Sequence, residues 1–472
     1  MKIVTKIMYI LAFIIFLGIF SIFFHDLENK LIIFSIIAIF LLISFICKRI
    51  KINDKIFCIT LFILAFVLRI IVVLYMKVIP SSDFAVLLDA AENLVKGTNV
   101  MNTSSYFITW SYQSGFVLYQ AFILKVFKSI TVLHIFDCFF TAGICVFIYL
   151  IGKEINKEAN ILPAMLYSFY IFAVVYTGVL SNQHIFTFIV LISIFILLKE
   201  TKFEKNKSFI IGLLIGIANI LRPEGIVVLV SIIGYKLLKI ESKRDIKKTL
   251  VNIGIMCLMY FAIILTVSFI IQVTNINNNG LKNNNPLWKF VCGSDYETGG
   301  RYSIRGEAIS SSIEQEKKFI IQNYTSLNLN TMLRFFVNKI RNFWTNSEEY
   351  FWAFADSWVD GKFIDKYVIY DFSIYTLIFI STLISIFTGI KEKTNAKILL
   401  TLILLVNFAV YLLIEIQVRY SYTVKIIMFI LATDGMNQIS LIINSCKNKI
   451  VEKTKTKKIK FLQKEEKKNE RK

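Results

Sequence analysis

The carboxylate of Asp83 stands where a long apolar run gives way to a polar segment, in the string Pro80-Ser81-Ser82-Asp83. An aspartate at such a boundary has two possible uses. It could be the N-cap of the helix that follows, a role that would suit Ser82 equally well. It could also accept a proton as a general base. The spacing alone leaves both uses open.

Two arginines stand in apolar surroundings, each close to a glutamate. Arg222 belongs to Arg222-Pro223-Glu224, which interrupts an apolar stretch, and Arg419 follows Glu415 by four positions. A guanidinium presents a fork of hydrogen-bond donors that fits a phosphate group. Each arginine could therefore bind a phosphate, or it could form a structural ion pair with its neighbouring glutamate.

Aromatic and amide side chains recur near these charges. Those that could contact a sugar or an acceptor are Trp110, Tyr112, Gln113, Gln183, His184 and Tyr420. Flat rings beside amides form a shelf for a sugar, but the same rings are typical of the aromatic belt at a membrane surface. A lone histidine such as His184 is more typical of a hydrogen-bonding residue than of a ligand. Both interpretations stay open.

Two further charges, Arg69 and Asp137, lie inside apolar runs. Ionisable groups at membrane depth are costly, so each is a candidate for a function. We expect them to form a structural ion pair. In a transporter they would instead line the path of the substrate.

The sequence lacks several signatures of cofactor chemistry. It has no Gly-rich phosphate loop followed by Lys-Ser/Thr, no His or Cys pair at metal-ligand spacing, and no Asp-x-Asp pair. We therefore expect neither a metal nor another cofactor. ATP-driven transport and nucleotide-sugar chemistry are not expected either.

The elements that must position these residues are helices in a lipid bilayer. Of the 472 residues, 56% are hydrophobic and only 18% are charged, whereas a soluble chain is about one-quarter charged. Crossing a bilayer takes about 20 apolar residues in a helix. Such runs, with a break at Arg222-Pro223-Glu224, give about twelve crossings, at about 7–24, 31–47, 56–79, 131–152, 160–179, 183–198, 208–221, 224–240, 250–273, 371–390, 397–414 and 421–440.

Lysine and arginine concentrate in the short connections on one side of the predicted membrane. This asymmetry predicts that the side, together with both termini, is cytoplasmic. The net charge of +21 is then explained by the basic residues of the segments predicted to be cytoplasmic. The basic tail is expected to lie near anionic lipid, and no nucleic-acid partner is expected.

The predicted organisation has five parts: two crossings and a cytoplasmic loop (1–55), a membrane core with a first outer loop at 80–130 (56–273), an extracytoplasmic loop or cap (274–370), the C-terminal crossings (371–440) and the basic tail (441–472). An apolar stripe from Phe84 to Leu94 predicts an interfacial helix that ends near Gly97. We interpret 274–370 as a partly helical cap whose Gly299-Gly300 segment moves when substrate binds. Its tryptophans are Trp288, Trp344, Trp352 and Trp358.

Taken in order, short strings on the outer side are similar to those of a known family. They are Ser82-Asp83-Phe84, Ala90-Ala91, Trp110-Ser-Tyr112-Gln113, Arg222-Pro223-Glu224, Gly293–Tyr302 and Gln417-Val-Arg419-Tyr420. Over about 56–440 the pattern resembles the polytopic glycosyltransferases of the C-type fold, specifically the bacterial relatives of dolichyl-phosphate-mannose protein mannosyltransferases and aminoarabinose transferases. The chain departs from many relatives in having one acidic residue, Asp83, where they have two, and Gln183 where a glutamate is common.

The resemblance implies an all-α enzyme of the bacterial plasma membrane that moves a sugar from a polyprenyl-phosphate donor, with inversion. The acceptor would be a hydroxyl of a cell-envelope glycan, lipid or protein on the extracytoplasmic face. Asp83 corresponds to the catalytic base of the family. Arg419 is the best match to the residues that bind the lipid phosphate, with Arg222 or Arg301 assisting.

Three other classes remain open from the sequence. A lipid-linked oligosaccharide flippase or other transporter would have paired broken helices in two similar halves. A polysaccharide polymerase or ligase would carry its chemistry on the long outer loop. A non-catalytic scaffold would give no reason for the unequal outer loops.

Overall fold

The computed structural model describes residues 3–49, 53–309, 312–345, 361–391 and 395–469. Across these ranges the regular structure is helical apart from one bridge between Trp110 and Asn283, so the predicted all-α class is confirmed. The α-helices are α1 (Ile3–Asp26), α2 (Lys30–Arg49), α3 (Asp54–Met76), α4 (Ser82–Val95), α5 (Ser105–Thr109), α6 (Ser114–Phe127), α7 (Ile130–Ile155), α8 (Leu162–Phe169), α9 (Ile171–Tyr176), α10 (Asn182–Leu198), α11 (Glu204–Leu221), α12 (Gly225–Leu238), α13 (Lys243–Val273), α14 (Trp288–Ser294), α15 (Ile304–Glu307), α16 (Ile313–Thr325), α17 (Leu329–Ile340), α18 (Gly361–Gly389), α19 (Asn395–Leu413) and α20 (Tyr422–Asn469).

Eight of the described helices are long and apolar enough to cross a bilayer. They are α1, α2, α3, α7, α13, α18, α19 and α20. Helices α10 and α12 are apolar but shorter, and α11 begins with the charged string Glu204-Lys205-Asn206-Lys207. The chain is thus a multi-pass membrane protein. Helices stand at eleven of the twelve positions that the sequence predicts for crossings.

The predicted crossing at 160–179 is wrong as a single helix, because the chain breaks at Tyr170 into α8 and α9. The break interrupts the helical hydrogen bonding of the carbonyls in the last turn of α8, of which that of Tyr167 keeps one backbone bond of 3.3 Å from the N–H of Tyr170. Arg69 supplies donors to two of them, Tyr167 and Ser168, at 3.4 and 3.2 Å. The expected ion pair with Asp137 is therefore not formed; Arg69 instead caps the broken helix.

The second break is the one that the sequence predicts at Arg222-Pro223-Glu224, between α11 and α12. Helix α11 also packs closely against α13. A Cβ at Gly212 would lie 2.2 Å from the carbonyl oxygen of Met256, and one at Gly216 would lie 2.3 Å from Ile263. These contacts advance in the same direction along both helices, so α11 and α13 run parallel.

The segment 80–130 begins with a helix that carries the predicted apolar stripe. Helix α4 buries an apolar stripe that includes Phe84, Leu87, Leu88 and Ala91, and Gly97 follows its end with φ of +86°. Ser81 holds the N-cap position and makes no capping bond through its side chain. The N-cap role considered for Ser82 or Asp83 is thus wrong.

The described part of the cap is partly helical, with α14 to α17 between 274 and 345. The stretch 346–360, with Trp352 and Trp358, lies outside the described residues. Lys339 of α17 anchors this part of the chain: its Nζ donates to the carbonyls of Gly293, Leu412 and Ile414 at 2.7, 2.8 and 2.9 Å. The cap is thereby joined to the end of α19.

The Gly299-Gly300 turn is held at the same place. Both glycines have positive φ, +66° and +81°, and the carbonyl of Gly300 accepts a hydrogen bond of 2.9 Å from the backbone of Ile416. The movement expected for this turn stays a prediction. Helix α20 continues from the last predicted crossing into the predicted tail as one helix, up to Asn469.

Candidate active site

A cavity of about 460 Å³ lies where the segment from α4 to α6, the break between α11 and α12, helix α14 and the segment after α19 meet. It collects most of the residues that the sequence singles out. Those in its wall are Asp83, Trp110, Tyr112, Gln113, Gln183, Arg222, Arg419 and Tyr420. Residues far apart in the chain therefore form one site.

The centre of the site is an ion pair between Asp83 and Arg419. Nη2 of Arg419 lies 3.0 Å from Oδ2 of Asp83. Asp83 belongs to the first turn of α4 and Arg419 to a 3-10 turn, Val418–Ser421. The Asp83 side chain is 42% exposed and that of Arg419 only 13%. The carboxylate is thus open to the cavity while its partner is held in the wall.

Arg419 is fixed by several neighbours. Its guanidinium lies over the ring of Phe84, 5.0 Å from the centroid, and its Nε donates to the side chain of Gln417 at 2.5 Å. Gln183 is wholly buried and its amide donates to the Arg419 carbonyl. Gln183 therefore supports the turn that carries Arg419.

Arg222 sits at the helix break and pairs with Glu224. It also donates to Asn182 Oδ1 at 3.0 Å and lies over the ring of Tyr420, 5.3 Å from its centroid. The carboxylate of Glu224 accepts a second bond of 2.8 Å from the hydroxyl of Tyr411. The structural ion pair considered for Arg222 is thus present, and the guanidinium still borders the cavity.

Lys289 and Glu415 form a further ion pair that the sequence does not indicate. Nζ of Lys289, in α14, contacts the Glu415 carboxylate and donates to the Tyr420 hydroxyl at 3.1 Å. The backbone of Glu415 also donates to the Lys289 carbonyl at 2.6 Å. The pairing of Glu415 with Arg419 is therefore wrong, because the cap supplies its partner. No local motif surrounds Lys289, so only the docking of α14 shows its place.

Electrostatics reinforce this pair. Burial alone would raise the pKa of the Glu415 carboxyl, which is 1% exposed, but attraction to Lys289 holds that pKa below its usual value. Burial would lower the pKa of Lys289, and the neighbouring Tyr420 and Glu415 raise it well above its usual value instead. Both groups are charged at neutral pH.

Aromatic groups form the side of the cavity next to Asp83. The rings of Tyr106 and Trp110 meet edge to face with centroids 5.0 Å apart, and the amide of Gln113 donates to the Tyr106 hydroxyl at 3.4 Å. Burial raises the pKa of Tyr112 to about 12. Its hydroxyl therefore stays protonated and can donate a hydrogen bond at neutral pH.

Two of the predicted site residues lie elsewhere. His184 is fully buried, with its ring nitrogens 3.2 and 3.3 Å from the carbonyls of Tyr176 and Val179 and 3.3 Å from the Tyr422 hydroxyl. Arg301 donates to Asn342 at 3.0 Å and is not part of the cavity wall. The structure thus brings neither side chain to the cavity.

Metal ligands are not grouped in this part of the protein. Among the described residues, no set of three or more His, Cys, Asp and Glu side chains is placed to hold a metal ion. In the part of the chain that the structure describes, the charged groups that border the cavity are instead arranged as three pairs of opposite sign: Asp83 with Arg419, Glu224 with Arg222 and Glu415 with Lys289.

One family model matches the chain. Residues 115–271 match the model of the dolichyl-phosphate-mannose-protein mannosyltransferase family. This range runs from α6 to α13 and includes Gln183 and Arg222, whereas Asp83 and Arg419 lie outside it. None of the curated proteins matches the chain. The family match confirms the predicted resemblance, and it supports a glycosyltransferase-type function for this multi-pass membrane protein.

Proposed function

We propose that the protein transfers a sugar from a polyprenyl-phosphate donor to an acceptor hydroxyl on the extracytoplasmic face, with inversion at the anomeric carbon. The observation that carries the proposal is the pair of Asp83 and Arg419, 3.0 Å apart in the wall of a cavity. A base and a phosphate-binding cation are the two groups that this reaction needs most.

The chemistry assigns one role to each partner. The acceptor oxygen attacks the anomeric carbon while its proton passes to the Asp83 carboxylate. The bond from that carbon to the phosphate oxygen breaks, and its electron pair leaves with the lipid phosphate. A phosphate is a good leaving group, so it needs stabilisation of its charge more than a proton. Arg419 supplies that stabilisation.

The ion pair makes the base dependent on the donor. In the structure described here Arg419 donates to Oδ2 of Asp83, the atom that would take the proton. A donor phosphate next to Arg419 competes for the same guanidinium and frees this oxygen for the acceptor. Arg222 and Lys289 border the same cavity, each paired with a carboxylate, so the phosphate could compete for these two cations as well.

The aromatic side of the cavity suits the acceptor or the sugar. Trp110 offers a flat face beside Asp83, while Tyr112 and Gln113 offer hydrogen bonds. A hydroxyl held against this shelf would be within reach of the carboxylate.

A transporter is the main alternative, and the buried charges favour the enzyme. Arg69 is wholly buried and bonded to carbonyls of α8. Neither Arg69 nor Asp137 borders the cavity. The two charges expected to line a transport path are therefore not in the cavity wall, whereas the expected base Asp83 is.

The decisive experiment measures sugar transfer and donor hydrolysis by membranes that contain the native protein or Asp83→Asn. The donors are a panel of radiolabelled polyprenyl-phosphate hexoses and pentoses. Loss of the base should lower turnover by about 100- to 10,000-fold. The matched control is Asp89→Asn, because Asp89 is an exposed carboxylate on the same helix. Equal turnover by the native protein and Asp83→Asn, at equal amounts of folded protein, would refute the role of Asp83.

A further inference from the structure

A second polar cavity lies at the opposite end of α11 from the candidate active site. Its volume is about 560 Å³, and its wall contains Lys202, Phe203, Glu204, Lys205, Asn206, Arg244, Lys247, Lys248, Val251 and Asn252. Helix α11 has 18 residues, so at 1.5 Å per residue the two cavities lie about 27 Å apart along it. That distance is close to the thickness of a bilayer core.

The wall of this cavity carries a large excess of positive charge. Five of its side chains are basic: Lys202, Lys205, Arg244, Lys247 and Lys248. Within the described residues none of the five forms an ion pair. Glu204, which also borders the cavity, pairs with Lys207 at 2.7 Å. The cavity therefore offers unneutralised cations to an anion.

The helices add to this positive potential. The first turns of α11 and α13 both border the cavity, because the two helices run parallel and are packed through Gly212 and Gly216. A helix N-terminus carries a partial positive charge and free N–H groups. The one carboxylate in the first turn of α13, Asp245, is engaged in a capping box with Ser242.

One buried polar group in the wall has no partner. Asn252 is 6% exposed, and its Oδ1 has no hydrogen-bond partner among the described residues. An unsatisfied buried oxygen costs free energy unless a ligand or water donates to it. A hydroxyl on a bound headgroup is such a donor.

The adjoining surface suits an acyl chain. A neighbouring cavity shares Lys205 and Asn206 and continues along Phe209, Ile210 and Ile255. Phe209 and Ile210 are 45% and 42% exposed, as expected for side chains that face lipid. Cations at the mouth and apolar groups below them are the arrangement that an anionic lipid requires.

We propose that the cavity between the first turns of α11 and α13 binds an anionic phospholipid whose headgroup carries a hydroxyl. The lipid comes from the leaflet at the end of the bundle opposite the candidate active site. Its phosphate lies among the five cations, its headgroup hydroxyl donates to Asn252, and one acyl chain follows Phe209. This site does not depend on the function proposed for the other end.

The test is lipid binding to the purified full-length chain, measured by native mass spectrometry. The probes are phosphatidylglycerol and phosphatidylcholine with identical acyl chains. The pocket variant is Lys205→Gln with Arg244→Gln and Lys248→Gln. The control removes three exposed cations elsewhere, by Lys55→Gln with Lys157→Gln and Lys391→Gln. The native chain and the control should prefer phosphatidylglycerol by about 10-fold or more, and the pocket variant should lose that preference.

Three outcomes would overturn the proposal. The first is equal binding of the two lipids by the native chain, and the second is an equal loss in the pocket variant and the control. The third is displacement of the lipid by millimolar inorganic phosphate at constant ionic strength, which would make the ligand a free phosphate. Asn252→Asp, which keeps the shape of the side chain, should weaken phosphatidylglycerol binding by about 5-fold through charge repulsion.

Discussion

At the level of single residues, the charges around the candidate active site are mutually satisfied. Arg419, Arg222 and Lys289 each have a carboxylate partner, Asp83, Glu224 and Glu415 respectively. Such pairing keeps costly charges stable near the membrane. Under the proposed function, the donor phosphate must therefore compete with these carboxylates for the cations. Of the three carboxylates, Asp83 is the most exposed. We therefore expect a phosphate to displace Asp83 from Arg419 more easily than it displaces the other two carboxylates from their partners.

A comparison of two arginines tests that conclusion. Arg419→Ala should raise the KM for the lipid-linked donor by about 10-fold or more, since it removes a charge-assisted bond to the phosphate. Arg301→Ala should leave the same KM within about twofold, because Arg301 contacts Asn342 away from the cavity. The measurement is the initial rate of transfer against donor concentration. A larger effect for Arg301 would mean that the cap closes further over the donor than this structure shows.

At the level of elements, a buried amine helps to hold the cap to the end of α19. Lys339 is 1% exposed and donates to three carbonyls. Two of these belong to Leu412, in the last turn of α19, and to Ile414, directly after it. A helix C-terminus leaves such carbonyls unpaired. Lys339 thus substitutes for the missing helical donors and positions the segment that leads to Glu415 and Arg419.

This anchor should make stability depend on pH. Burial lowers the pKa of Lys339 to about 7 in the folded protein. In the unfolded chain the same side chain has the ordinary pKa of a lysine. Between pH 7 and pH 10 the unfolded state therefore binds more protons, and the free energy of unfolding rises with pH. The rise from pH 7 to pH 9 should be about 2 kcal/mol. The variant Lys339→Met keeps all the other titrating groups. The difference between its stability curve and that of the native protein therefore gives the contribution of Lys339 alone.

Thermal unfolding in detergent at several pH values measures the effect. The native protein should gain stability from pH 7 to pH 9 relative to Lys339→Met. Glu415 is the charged group whose attraction raises the pKa of Lys339. Its carboxylate stays ionised from pH 7 to pH 9 because its own pKa is lowered. Parallel curves for the two proteins would show that Lys339 does not titrate there.

The two helix breaks show what the sequence can predict and what it cannot. The break at Arg222-Pro223 is visible locally, because proline lacks an N–H group and arginine is costly in lipid. The break at Tyr170 has no local signal. There the carboxylate of Asp371 accepts the N–H groups of Ile171 and Phe172 at 3.1 and 2.7 Å, and Arg69 takes the carbonyls on the other side.

The same distinction holds for the candidate site. Asp83, Arg222 and Arg419 were identifiable because each interrupts or borders an apolar run. Lys289 was not, because it lies in a polar loop where a lysine is ordinary. His184 and Arg301 resemble site residues by type and position along the chain, and only their side-chain contacts place them away from the cavity.

At the level of the whole molecule, a buried network locks four helices at the end opposite the candidate active site. Lys397 of α19 pairs with Asp434 of α20 at 2.8 Å, and the two side chains are 0% and 1% exposed. Ser385 of α18 and Asn156, just after α7, donate to the same carboxylate at 2.7 and 3.3 Å. The network therefore stabilises the bundle without touching the site.

Removal of the Asp434 carboxylate from this network should lower the stability of the protein and leave its activity unchanged. Asp434→Asn removes the buried carboxylate that pairs with the Lys397 ammonium, which should lower the free energy of unfolding by about 3–5 kcal/mol. The control is Glu154→Gln, which breaks the more exposed pair of Glu154 with Lys199 and should cost less than about 1 kcal/mol. Thermal unfolding measures both. Transfer per folded molecule should be unchanged, and a selective loss of turnover in Asp434→Asn would contradict the separation of the two ends.

The ion pair at the candidate site joins residues 336 positions apart, and this separation bears on how the protein is made. Asp83 leaves the ribosome early, whereas its partner Arg419 is made after α19 and directly before α20. During synthesis the Asp83 carboxylate therefore cannot pair with Arg419 until most of the helices have been made. A chain that stalls before Arg419 is made therefore has Arg222 but lacks the Asp83–Arg419 pair, and under the proposed function it would not transfer sugar.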